Sequence, residues 1–244
     1  SIAHGIASLF VKLPYYGPRG TSGVDREMIS ADPAETVEGM TQGVLDIRRA
    51  AAWLGSQPEV DADQLGITGI SLGGITSALA SAAEPRFKKV GLLLAGGDLG
   101  QIGFEAEEFA EIAKGWIEKG GSQEELIELV KPVDPVTYAE NVRGRKIIMF
   151  NALSDELIPK ACTESLWKAL GEPEIVWWAG GHYTAGRFIF DGLGRLVVFF
   201  QPDESDSAES EEQPAAEESS SEEPETEESS SEEPEAEPAT AGAP

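Results

Sequence analysis

The sequence predicts an α/β fold, a mostly parallel sheet with helices on both of its faces. Two observations carry this. Short runs that are apolar at almost every position, such as Val90-Gly-Leu-Leu-Leu-Ala95, recur along the chain, and strands of that kind are covered on both faces. Between them lie stretches with apolar residues at helical spacing. A third observation bounds the domain. From Pro202 to the C-terminus there are 17 acidic residues and no Lys or Arg, so the globular part is expected at 1–201 and an acidic tail at 202–244.

Taken in order, Ile2–Gly5 reads as the end of a helix. Ala7–Leu13 reads as a strand halted by Pro14-Tyr-Tyr-Gly-Pro18. Glu35–Leu54 carries Val37, Met40, Val44, Ile47, Ala51 and Leu54 on one helical face. Leu65–Ile70 is a second strand, and Ile75–Ala83 a small-residue helix stopped by Glu84-Pro85. Val90–Ala95 is a third strand and Lys146–Phe150 a fourth. Cys162–Leu170 is a helix ended by Gly171, Glu174–Trp178 a fifth strand, and Phe188–Phe199 a final helix weakened by Gly192 and Gly194. The excursion from about 99 to 145 holds two amphipathic helix candidates, Phe104–Lys119 and Gln123–Val130. It reads either as a cap over the strand ends or as a decorated crossover.

The formal charge of −26 over 244 residues is uneven. The tail holds the exact repeat of Glu217–Glu225 at 227–235, and its charge, serine and proline content predicts disorder. It reads as a solvating segment, with a docking arm for a basic partner or a serine-rich phosphorylation target as the sharper alternatives. The body is only mildly acidic, so neither part offers the basic patch that nucleic acid requires. No run is long enough for a membrane span. Two histidines, His4 and His182, argue against a histidine-rich metal site, and no metal or organic cofactor is expected. The single Cys162 excludes an internal disulfide and leaves the compartment open, with the cytoplasm favoured. Ser1 is not a natural start, which points to sequence upstream and leaves room for a removed leader.

Three residues fall at strand ends on one edge of the expected sheet. Ser71 follows the second strand in Gly69-Ile-Ser-Leu-Gly73. Asp155 follows the fourth in Ser154-Asp-Glu-Leu157. His182 follows the fifth in Gly180-Gly-His-Tyr183. A serine needs a base to take its proton, and the base needs a carboxylate to orient it. Gly69 and Gly73 would give room for a strained turn at Ser71, and the Leu72 N–H would donate to an oxyanion. The bland alternatives are a serine capping the next helix, a loop histidine and a loop acid. Asp98, after the third strand, is a competing acid, and Glu156 a weaker one. Tyr15, Tyr16, Trp177, Trp178 and Tyr183 lie near strand ends, with Tyr16 and Tyr183 the candidates for a pocket.

These motifs, with Pro14-Tyr-Tyr-Gly17, resemble an α/β-hydrolase from its fourth strand to its last helix, in the dienelactone-hydrolase-like and esterase branches. The resemblance covers about 1–201. It implies hydrolysis of a small-molecule ester through an acyl-serine, with Ser71, Asp155 and His182 as the triad. It also implies that the first three strands are missing, among them a central one whose loop supplies a second oxyanion donor. His4-Gly5 abuts the first visible strand directly and is read as a helix end, not as that loop. Peptidase or acyltransferase chemistry on the same triad is the alternative within the enzyme class. A catalytically impaired scaffold with an acidic binding tail is the alternative outside it.

Overall fold

A computed structural model describes residues 5–20 and 26–202. All belong to one compact unit, Ser1–Asp203. The repeat-bearing tail and His4 lie outside the described residues. The elements are α1 (Pro33–Leu54), β1 (Gly66–Ile70), α2 (Leu72–Ala83), β2 (Lys89–Leu93), α3 (Leu99–Glu105), α4 (Ala110–Glu118), α5 (Gln123–Val130), α6 (Pro135–Tyr138), β3 (Lys146–Ala152), α7 (Lys160–Ala169), β4 (Glu174–Trp178) and α8 (Ile189–Phe200). The four strands form one parallel sheet in the order β1-β2-β3-β4. No described helix is long and apolar enough to cross a membrane.

The period of two along each strand sorts side chains between the faces. Ile147 and Met149 of β3 join the core cluster that contains Met40 of α1 and Ile75 of α2, while Ile148 and Phe150 join the cluster that contains Leu196 of α8. Both faces are covered, as the uninterrupted apolar runs require.

Local chemistry sets the helix starts. Asp32 caps α1 by accepting the Ala34 N–H at 2.9 Å, with Pro33 at the first helical position. Ser122 and Glu125 form a reciprocal capping box at α5. Asp134 accepts the N–H of Val136 at 2.9 Å and of Leu99 at 2.6 Å, tying the start of α3 to the start of α6.

Ala7–Leu13 is not a strand, which corrects the expectation from its apolar run. It forms no ladder with the sheet, and no strand flanks the outer edge of β1 among the described residues. Without a neighbouring strand to form a ladder, extended chain stays irregular, and Phe10 is 87% exposed. The segment becomes anchored at Pro14, which is buried, and at Tyr15, over whose ring the Arg26 guanidinium lies 4.3 Å from the centroid. The expected helix Phe104–Lys119 also divides. It becomes the end of α3, a 3-10 turn at Glu107–Phe109, and α4.

Candidate active site

The site is built where β1 turns into α2. Ser71 sits at φ 54°, ψ −123°, a conformation that L-residues with side chains avoid. Backbone bonds hold it there: its N–H donates to Leu93 O at 2.8 Å, and its carbonyl accepts the Ile75 N–H at 3.0 Å. The turn is so tight that a Cβ on Gly69 would lie 2.2 Å from Gly73 O. Gly73 itself has open space where its Cβ would be, whereas one on Gly74 would lie 2.8 Å from Leu93 O. Of the two glycines expected to give room, Gly69 does so, and the second role falls to Gly74 instead of Gly73. Leu72 opens α2, so its N–H is among those with no intrahelical acceptor. Leu72 and Ser71 line the same cavity.

His182 comes from the loop after β4, and Asp155 from the loop after β3. Ser71 Oγ lies 2.9 Å from His182 Nε2, and His182 Nδ1 lies 2.9 and 3.0 Å from the two Asp155 oxygens. An ionised carboxylate only accepts. Nδ1 therefore carries the hydrogen of the neutral ring, and Nε2 is left to accept from the Ser71 hydroxyl. The Asp155 side chain is 2% exposed, and its Oδ1 also accepts the N–H of Leu157 at 3.0 Å and of Ile158 at 2.7 Å. The structure thus brings together the three residues singled out from sequence. Asp98 does not take the acid's place: it sits at the start of α3 with a left-handed backbone, and the imidazole is bonded to Asp155.

Glu156 has a different part from the one expected of it. Its Oε2 accepts the His182 backbone N–H at 2.7 Å. A bond from its own backbone N–H, and then the one from His182, hold its carboxyl below the usual range. With the Ser154 N–H bonded to Gly180 O at 3.0 Å, it laces the acid loop to the histidine loop. A second acid beside Asp155 and opposite Gly180-Gly181 was the only sequence trace of this.

Ser71 and His182 open into a cavity of about 340 Å³ lined from α1, α2, α3, α4, α5 and the segment holding Tyr16. Tyr16 and Tyr183 line it, whereas Tyr15, Trp177 and Trp178 do not. Trp178 is 4% exposed, with its ring centroid 5.5 Å from that of Phe150. Burial and the charge of Glu27 raise the Tyr16 hydroxyl pKa. The Tyr183 hydroxyl donates to Glu108 at 2.6 Å, and that bond raises its pKa. Nothing in the sequence pattern marked Glu27 and Glu108 as cavity residues. Among the described residues no group of three His, Cys, Asp or Glu could hold a metal ion. Cys162 is buried away from this chemistry, its thiol pushed up to about 12 by desolvation.

The family model for the prolyl oligopeptidase family matches residues 37–175. An uncharacterised protein of Mycobacterium tuberculosis, found in two strains, is 27% identical over 187 residues, covering 73% of this chain and 42% of the relative. The chain therefore spans less than half the length of the curated relatives it matches. Among solved structures, an acetyl xylan esterase from Paenibacillus sp. R4 superposes with a TM-score of 0.58 at 22% identity, covering 72% of this chain and 58% of that one. A puromycin hydrolase does so at 0.54 and 21%, covering 65% of this chain and 24% of that one. These likenesses show a shared α/β-hydrolase fold.

Proposed function

The chain belongs to the prolyl oligopeptidase family, and from that premise we propose that it is a serine hydrolase cleaving carboxylic esters through an acyl-Ser71 intermediate. One observation carries the reading: the unbroken hydrogen-bonded line from Ser71 Oγ through His182 to Asp155. Ser71 Oγ attacks the ester carbonyl while His182 Nε2 takes its proton. The carbonyl oxygen, now negative, accepts from the Leu72 N–H. Asp155 holds the ring in its tautomer and offsets the imidazolium charge. The tetrahedral adduct collapses, and Nε2 returns the proton to the departing alcohol. Water, deprotonated by the same nitrogen, then attacks the acyl-serine, and the acid leaves with Ser71 restored.

Esters are the first reading because an alcohol departs more readily than an amine. A site that opens amides therefore opens esters, while the converse does not hold. Amide cleavage is the second reading, favoured by the family match and by solved relatives whose names include peptidases. A fluorophosphonate probe with peptide mapping tests the shared core. The expected result is one adduct on Ser71, none in Ser71→Ala, and a loss of ester turnover of ~10⁴-fold or more in that variant. A folded chain that takes no label would refute the hydrolase reading. Parallel assays on matched esters and anilides of one acyl group then decide between ester and amide.

A further inference from the structure

The cavity beside Ser71 carries information about the substrate. Its wall includes Met40, Ile75, Ile102, Leu126 and Val130, all buried and apolar, brought together from four helices. Glu108, His182 and Tyr183 form one polar part of the lining, and Tyr16, Glu27, Ser30 and Thr36, from the chain before α1 and its first turn, form another. Tyr183 follows His182 directly, their rings 5.5 Å apart, and its hydroxyl binds Glu108. The leaving group must depart past His182 Nε2, which protonates it. The part of the cavity beside His182 and Tyr183 is therefore the leaving-group side, and the apolar wall of Met40, Ile75, Ile102, Leu126 and Val130 is left for the acyl group. A water takes up about 30 Å³ in the liquid, so about 340 Å³ has room for on the order of ten groups of that size. An acetyl group would leave most of it unfilled.

One residue keeps the space open. Gly103, in the middle of α3, lines the cavity, and a Cβ there would meet only Leu126 Cδ2, at 3.6 Å. Its neighbour Gly100 is a glycine for packing, since its Cβ would lie 2.6 Å from Ile127. Gly103 has no such constraint, and a helix interior disfavours glycine.

We propose that the substrate is an ester of a bulky apolar acyl group, bound between α1 and the α3–α5 helices, and that Gly103 sets the acyl length. The inference rests on the acyl-serine reading and narrows it. Each methylene moved from water into the cavity should raise kcat/KM about three- to fourfold.

The test uses the full chain with p-nitrophenyl esters from acetate to decanoate, and fluorophosphonate labelling in parallel. Expected is a stepwise rise in kcat/KM with acyl length, levelling off once the cavity is full. In Gly103→Leu the ratio of octanoate to acetate kcat/KM should fall at least tenfold, with a thermal melt confirming the fold. A flat acyl profile on a chain whose Ser71 labels would overturn the acyl-cavity inference and leave the hydrolase reading standing. No labelling on a folded chain would remove both.

Discussion

At Ser71 the chemistry depends on how closely two backbone turns approach. Gly69 and Gly73 look alike in the sequence, and they differ in what a methyl group would meet. Gly69→Ala drives a Cβ into Gly73 O and should cost about 3 kcal/mol or more, together with loss of Ser71 labelling. Gly73→Ala puts a Cβ in open space within the first turn of α2, so its stability should be unchanged or higher by about 0.5–1 kcal/mol. Urea midpoints of the two variants check the contrast. The triad was legible because each member adjoins an apolar run and only two histidines exist. The exchange of roles between Gly73 and Gly74, and the bond from Glu156 to the His182 N–H, were not. Both depend on distances across a turn or between loops, and residue identity does not encode these.

Elements were readable where they are self-contained. β2 is buried at every position, so its run of apolar residues sufficed. α5 was readable from its amphipathic spacing, its Ser122–Glu125 capping box emerged only in the structure, and Ser122→Ala should lower stability by about 1 kcal/mol by leaving the Glu125 N–H without its acceptor. Thermal melts of the parent and variant would show a drop of a few degrees. Ala7–Leu13 misled because a strand is defined by its neighbour, and an apolar run says nothing about whether a neighbour is there. The cavity was hidden for a related reason. Met40, Ile75, Ile102 and Leu126 lie on four helices, and each reads as ordinary core on its own helix.

Over the whole molecule, Glu84 is one carboxyl that ties stability to acid pH. Its carboxylate, 3% exposed at the end of α2, accepts from Arg86 Nε at 2.8 Å and pairs with Arg48 of α1 at 3.5 Å. The Arg86 hydrogen bonds bring its pKa from 4.5 to about 2. A carboxyl lowered in the folded state stabilises it fully above the unfolded value and loses that contribution as pH falls through the folded one. Glu84→Gln should therefore lower stability by about 2–3 kcal/mol at pH 7. The gap should close between pH 4.5 and about 2. Denaturant titrations across that range would show whether the two curves converge.

Ser71 and His182 stand 111 positions apart in the chain, the serine after the first strand of the sheet and the histidine after the last. A ribosome adding about 5–20 residues per second needs roughly 6–22 s to cover that distance. Throughout that interval the emerging polypeptide can hold a finished elbow with no base to arm it. On the proposed acyl-serine reading, hydrolytic power would arrive only once β4 and the loop after it are in place, and a half-made copy would be chemically silent.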